Sequence, residues 1–141
     1  MSRREQFLAG ERPDDVALFL ADDFLDGDLD AGERVDGGTL LVVDGESGRQ
    51  VFQSVTGMEA MAFAREAMAE EGRVARDLTD GDCPGREGDA DGDHRPEFVF
   101  AFAEEQNPDV GGIYAEGAVI HAYVYCACGT AYSDRWVAGG D

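Results

Sequence analysis

The excess of acidic side chains limits how this chain can fold, because it fixes where most of its polar residues must lie. Among the 141 residues, 31 are Asp or Glu and 11 are basic, all of them arginine, which gives a formal charge of -20. Charged groups are rarely buried without a partner, so we expect nearly all of these acids at the surface. The hydrophobic 43% is enough for one core, and we predict a single domain over residues 1–141.

The even distribution of these charges predicts a protein adapted to very high salt. A charge of -20 on a small chain repels itself in dilute buffer and favours expansion. At molar salt the Debye length falls to about 3 Å, so the repulsion is screened. Nucleic acid is not an expected partner, because the arginines are scattered and only Arg3 and Arg4 are adjacent.

Several kinds of function are excluded or disfavoured by what the sequence lacks. Without lysine there is no Walker-type phosphate loop, no Schiff-base lysine and no kinase-type lysine. Neither Gly-x-Gly-x-x-Gly nor Gly-x-Ser-x-Gly occurs. No apolar run approaches the roughly 18 residues of a spanning helix, and the N-terminus lacks an apolar signal region. We therefore expect no membrane association and a cytoplasmic location.

Residues 1–76 are predicted to form a helix, a β-hairpin and a second helix. Pro13, followed by two acids, is typical of a helix start, and Val16, Phe19, Leu20 and Phe24 recur at helical spacing. Residues 39–43 then form an apolar strand. Turn residues follow at 44–48, and the predicted return strand carries Val51, Phe52 and Val55.

The second helix has the clearer start signal. Thr56 and Glu59 have the spacing of a capping box. The apolar stripe that follows consists of Ala60, Met61, Ala64, Ala67 and Met68. We predict that the methionines of this region pack in the core rather than form a binding groove.

Residues 77–96 have the Gly, Asp and Pro content of a long acidic loop, and residues 97–141 are predicted to form an antiparallel β-meander. Phe98, Phe100 and Phe102 alternate along one strand and should share a buried face. A hairpin is expected over 113–125, and a last strand over 130–137. The fold class is therefore α+β, with a helix/hairpin/helix half packed on a meander.

The three cysteines suggest a degenerate zinc ribbon in the C-terminal half. Cys83 precedes a proline in the acidic loop, and Cys126 and Cys128 flank one residue at a strand end. Two loop-end thiol groups joined by a sheet are how zinc ribbons assemble their ligands. The usual spacing is broken here, because position 86 is arginine and the second pair is separated by one residue. A tetrahedral site therefore needs a fourth ligand.

Geometry favours His94 over His121 as that ligand. His121 lies five residues before Cys126 on one predicted strand, about 16 Å away at 3.3 Å per residue and on the opposite face. His94 lies in the same loop as Cys83 and meets no such obstacle. The predicted metal ligands are thus Cys83, His94, Cys126 and Cys128, with zinc as the cofactor; simple reduced thiols are the alternative.

Two further features have weaker predictive content. Cys126 and Cys128 are a candidate redox pair, although no basic residue adjoins them in sequence to lower a thiol pKa. Tyr123 and Tyr125 share parity with His121, which gives one strand face an aromatic, half-polar character. That face is a candidate surface for a protein partner.

Three stretches carry a resemblance to a known group of proteins. They are residues 11–20, residues 100–107 and residues 126–134, and they resemble an uncharacterised family of haloarchaeal proteins. The resemblance spans nearly the whole chain. It implies no activity, catalytic residue or cofactor, because the family has no known function.

The function expected from the sequence is therefore non-catalytic. We expect a small halophilic cytoplasmic binding or regulatory module with a structural zinc, and we identify no catalytic or organic-cofactor-binding residue. The alternative is a thiol- or metal-dependent enzyme that uses Cys126 and Cys128.

Overall fold

The fold is mixed α+β and is built on a six-stranded antiparallel sheet, as a computed structural model describes it for residues 3–12, 14–22, 33–35, 37–75, 78–83, 96–106 and 109–138. The helices are α1 (Arg3–Leu8), α2 (Gly45–Thr56), α3 (Ala60–Ala67) and α4 (Ile113–Glu116). The strands are β1 (Asp15–Ala21), β2 (Glu33–Val35), β3 (Gly38–Asp44), β4 (Arg73–Val74), β5 (Gly81–Asp82), β6 (Pro96–Glu104), β7 (Val119–Cys126) and β8 (Ala131–Val137). The α+β class predicted from the sequence is confirmed.

The sheet joins strands from both halves of the chain. Its order is β2-β3-β1-β6-β7-β8, and β4 pairs with β5 in a separate small hairpin. The predicted C-terminal meander is confirmed as β6, β7 and β8, which pair in sequence order. Because β1 pairs with β6, the meander is continuous with the N-terminal strands.

The first predicted helix is wrong, because the segment forms the strand β1 in the middle of the sheet. All seven of its residues are buried. A strand covered on both faces is apolar at every position, and in such a short run the helical spacing of Val16, Phe19 and Leu20 occurs by coincidence.

The predicted hairpin is half right, because residues 39–43 do form a strand but Val51, Phe52 and Val55 lie in α2. The turn residues are the first turn of this helix, where the Asp44 carboxylate accepts a hydrogen bond from the Ser47 N–H at 3.0 Å. The helix ends at Gly57, which has a left-handed backbone with φ 76°.

The second predicted helix is confirmed as α3, although its predicted cap is wrong. Thr56 is the last residue of α2, and its hydroxyl donates to the Phe52 carbonyl and accepts from the Met58 N–H. Glu59 takes the cap position of α3. Core packing is also wrong for Met61 and Met68, which are 44% and 62% exposed.

Each face of the sheet has its own core. On the helical face, Phe52 of α2 and Phe63 of α3 pack against Phe98 and Phe100, with ring centroids 5.1–5.6 Å apart. The predicted phenylalanine face is confirmed here, and Phe102 is its partly buried end. Aromatic contacts of this kind each contribute about 0.5–1.5 kcal/mol beyond area burial.

The opposite face is covered by α1 and by the segment that contains the small hairpin; we call it the hairpin face. Phe7 of α1, Leu78 and Cys83 are buried there together with Tyr132 and Trp136. Asp134 fixes the segment to the edge strand, because its carboxylate accepts a hydrogen bond from the Val74 N–H at 3.0 Å. Cys83 therefore reaches the main sheet across the hairpin face.

Several predictions need a further correction or remain open. The predicted hairpin start at 113–115 is wrong, because this segment is the short helix α4. Pro13, Phe24, His94 and residues 84–95 of the acidic loop lie outside the described residues. No helix in the described part of the chain is both long and apolar enough to cross a membrane.

Candidate metal centre

Three thiols from two distant segments meet at the end of β7. The sulfur atoms of Cys83, Cys126 and Cys128 all lie within 4.8 Å of one another. Cys83 and Cys126 are buried, being 4% and 1% exposed, whereas Cys128 is exposed. The sequence predicted that these three cysteines lie close together, and their role as metal ligands stays a prediction.

Strand parity and a tight turn position the second pair of thiols. Cys126 is the last residue of β7 and shares the hairpin face with Ala122 and Val124. The chain then reverses through a turn in which the Cys126 N–H donates to the Thr130 carbonyl and the Gly129 N–H donates to the Cys126 carbonyl, each at 2.9 Å. Gly129 has φ 93°, a left-handed conformation that favours glycine.

The sulfur spacing fits a tetrahedral metal. Cys83 Sγ and Cys128 Sγ are 3.7 Å apart. Two thiolates bound to zinc at about 2.3 Å in tetrahedral geometry are separated by roughly 3.8 Å. A disulfide would need a sulfur–sulfur distance of about 2.05 Å, and all three cysteines are free thiols. Soft thiolate ligands favour zinc or copper(I) over calcium or magnesium.

The two thiols at the end of β7 differ sharply in acidity. Burial raises the pKa of Cys126 to about 12, and the nearby Cys128 and Cys83 thiols contribute to the rise. Burial also acts to raise the pKa of Cys128, but hydrogen bonds from Thr130, Cys126 and Cys83 outweigh it and lower that pKa to about 6. The Thr130 hydroxyl lies 3.3 Å from Cys128 Sγ. Cys128 is therefore the first of the pair to ionise.

A buried tyrosine completes the wall of the cluster. Tyr132 on β8 is 1% exposed. Burial raises the pKa of its hydroxyl, and the adjacent Cys126 and Cys83 add to the rise. The tyrosine therefore stays protonated beside the thiols and does not compete with them for a metal ion.

The two histidines lie in different situations. His94 lies outside the described residues, so its place as the fourth ligand remains a prediction. His121 lies on the helical face of β7, where its ring stacks on Phe102 with centroids 4.9 Å apart. Its Nε2 is 3.1 Å from Glu104 Oε2. His121 thus points away from the face that holds Cys126, as strand parity predicted.

Sequence reasoning missed two features of the molecule. One is the acidity of Cys128: no basic residue adjoins this cysteine in sequence, and the signal that could have indicated its acidity is the hydroxyl residue two positions later, Thr130. The second is a groove where His121 meets Glu104 beside Tyr114. The sequence carried no signal for it, because α4 was predicted as a strand.

No curated protein and no solved structure matches this chain. One family model matches residues 32–139, which include β2 to β8 and all three cysteines. The chain therefore belongs to DUF5807, a family of unknown function.

Proposed function

We propose that this chain is a zinc-binding protein in which Cys83, Cys126 and Cys128 hold one metal ion in a non-catalytic role. The supporting observation is the convergence of three sulfur atoms within 4.8 Å from segments more than forty residues apart in sequence. In the wider proposal the protein is a halophilic cytoplasmic binding or regulatory module, and the metal stabilises the surface that it presents.

The position of the thiols supports a structural role for the metal. Cys83 belongs to the segment that covers the hairpin face, whereas Cys126 ends β7 and Cys128 lies in the turn that follows. A metal bound by all three would tie that segment to the sheet. Structural zinc sites contribute folding free energy in this way.

The fourth ligand separates the structural proposal from the enzyme alternative. Structural zinc sites have four protein ligands, whereas catalytic sites keep one position open for water or substrate. We propose His94 as the fourth ligand, which would close the site. The exposure of Cys128 and its low pKa favour the alternative, a thiol- or metal-dependent enzyme that uses Cys126 and Cys128.

The test compares zinc content and affinity across five single variants of the full chain, purified in 2 M KCl without chelator. We expect one zinc per chain in the parent protein, and loss of most of it in Cys83→Ser, Cys126→Ser and Cys128→Ser. Circular dichroism should verify that each variant remains folded. A parent protein that takes up no zinc even after reconstitution would refute the proposal.

The two histidines provide a matched pair for the fourth ligand. We expect His94→Ala to weaken zinc binding on the order of 10- to 100-fold or more, since even substitutions beyond the ligands have effects of that size. His121→Ala should leave the affinity unchanged, because that ring lies on the helical face. Equal affinities in both variants would favour an open fourth position and hence the enzyme alternative.

A further inference from the structure

A groove of about 680 Å³ opens on the helical face beyond the part that α3 covers. Its walls include Phe102 of β6, His121 and Tyr123 of β7 and Tyr114 of α4. The ring of His121 stacks between Phe102 and Tyr114, at centroid distances of 4.9 and 6.1 Å. The volume is within the range of small-molecule sites, about 300–1,000 Å³.

Tyr123 contributes to this groove a hydroxyl that no described residue hydrogen-bonds. Its side chain lines the groove and the residue is only 5% exposed. Within the described part of the chain its hydroxyl makes no hydrogen bond, while every described polar side-chain atom that is sealed from solvent has a partner. The hydroxyl therefore opens onto the groove, where a ligand can reach it.

The charges of the groove favour a cation. Two acidic residues of the helical face line it, Glu71 and Glu104, against the single guanidinium of Arg135. That guanidinium lies 5.9 Å from the centroid of the Tyr114 ring and donates to the Tyr114 hydroxyl. The ring and the hydroxyl of Tyr114 thus already bind one cationic group, the guanidinium of Arg135.

One wall of the groove is apolar and adaptable. Met61 and Met68 of the α3 segment line it and are 44% and 62% exposed. Methionine side chains adjust to ligands of irregular shape and make favourable contacts with aromatic rings. Exposed side chains of this kind provide a surface for the apolar part of a ligand.

We propose that this groove binds a small organic cation, in which a primary ammonium or guanidinium group is attached to an apolar body. The cationic group donates hydrogen bonds to the Tyr123 hydroxyl and to the Glu104 carboxylate, and the apolar body lies against Met61 and Met68. Glu104 also contacts His121, which holds the carboxylate at the groove. Concave grooves of this size, with a few converging polar groups, are typical of small-molecule sites.

The test uses three probes of nearly equal size and different charge, titrated into the full-length protein in 1 M KCl. They are 2-phenylethylamine, a cation, 2-phenylethanol, its neutral counterpart, and phenylacetate, an anion. Calorimetry should show saturable binding of the cation and at least about tenfold weaker binding of the other two. Phenylacetate binding as tightly as the amine, or the absence of binding by all three, would overturn the proposal.

Variants assign the binding to this groove. Tyr123→Phe and Glu104→Gln should each weaken binding of 2-phenylethylamine about tenfold or more, the expected effect of losing one hydrogen bond to a charged group. Tyr125→Phe is the matched control, because Tyr125 lies on the same strand face, stacked on Phe98, and does not line the groove. Undiminished binding in both Tyr123→Phe and Glu104→Gln would contradict the proposal. Cys128→Ser should bind the probe normally, so the result is independent of the zinc site.

Discussion

At the scale of single residues, two thiols only two positions apart occupy opposite chemical environments. Cys126 ends a strand inside the hairpin-face core, where the thiolate form lacks solvation. Cys128 lies in the following turn and is exposed, with the Thr130 hydroxyl 3.3 Å from its sulfur. The buried Cys126 is therefore a protonated thiol near neutral pH, whereas the exposed Cys128 is a thiolate.

This difference predicts the pH dependence of cysteine modification in metal-free protein. The rate of Cys128 alkylation by iodoacetamide should reach half its maximum near pH 6, because hydrogen bonds lower that pKa to about 6. Thr130→Val should move the midpoint upward, towards the ordinary value of about 8.5. Mass spectrometry of the modified peptides measures both rates. Urea-unfolded protein serves as the control, and a native midpoint at 8.5 or above would contradict the account.

The lowered pKa of Cys128 also makes the stability of the metal-free fold depend on pH. The folded pKa of Cys128 lies below that of the unfolded chain, so between the two values the unfolded state binds more protons and stability rises with pH. This contribution is complete above about pH 8.5 and is lost as the pH falls through about 6. Cys126 acts oppositely and weakens the fold as the pH rises from the unfolded value towards 12.

At the scale of elements, the sequence pattern predicted those helices and strands whose formation depends mainly on neighbouring residues in the chain. The meander from β6 to β8 follows from alternating apolar residues and turn signals, and α3 follows from its apolar stripe. The segments β1 and α2 did not follow, because their structure depends on their place in the sheet. Val16 and Leu18 of β1 point to one core, and Ala17 and Phe19 point to the other. Since both faces are apolar, the sequence of β1 does not show the alternation of apolar and polar residues that identifies a strand.

At the candidate metal centre, too, the sequence predicted the local arrangement but not the contacts between distant segments. Strand parity alone predicted that Cys126 and His121 face opposite ways. The meeting of Cys83 with Cys126 and Cys128 was predicted only by analogy to ribbon proteins. The small hairpin that brings Cys83 to the sheet could not be predicted, because β4 and β5 are two residues each and lack a periodic pattern.

Glycine at position 81 is predicted to be essential for that hairpin. A Cβ atom there would collide with the Tyr132 hydroxyl and lie 2.9 Å from the Arg73 carbonyl oxygen. Gly81→Ala should therefore lower the free energy of unfolding by about 1–3 kcal/mol and weaken zinc binding by displacing Cys83. Urea denaturation and a zinc titration measure the two effects.

A second substitution tests whether the collision with the Tyr132 hydroxyl causes the effect of Gly81→Ala. Tyr132→Phe in the Gly81→Ala background removes one of the two colliding atoms and should restore part of the lost zinc affinity, because the carbonyl contact remains. If Gly81→Ala alone leaves both stability and zinc binding unchanged, the hairpin does not position Cys83.

At the scale of the whole molecule, nearly all of the described acidic residues lie outside the apolar interior. Asp15 is the only buried acid among the described residues, and its carboxylate is 3.3 Å from the Arg12 guanidinium. The remaining charge therefore acts mainly through mutual repulsion at the surface, which salt screens.

The fold should consequently gain stability steeply as salt is added. Because the Debye length falls from about 10 Å at 0.1 M to about 3 Å at 1 M, most of the gain is expected below 1 M KCl. Thermal unfolding followed by circular dichroism at 0.1, 1 and 3 M KCl measures it. Sucrose at matched osmolality is the control for effects unrelated to charge, and equal stability at all three salt concentrations would count against salt adaptation.

X-ray absorption at the zinc edge of protein purified in high salt measures the ligands of the metal directly. We predict three sulfur ligands at about 2.3 Å and one nitrogen ligand at about 2.0–2.1 Å. In His94→Ala the nitrogen contribution should be lost while the three sulfur ligands remain. A spectrum with fewer than three sulfur ligands, or with nitrogen and oxygen ligands alone, would contradict the assignment of Cys83, Cys126 and Cys128 as the metal centre.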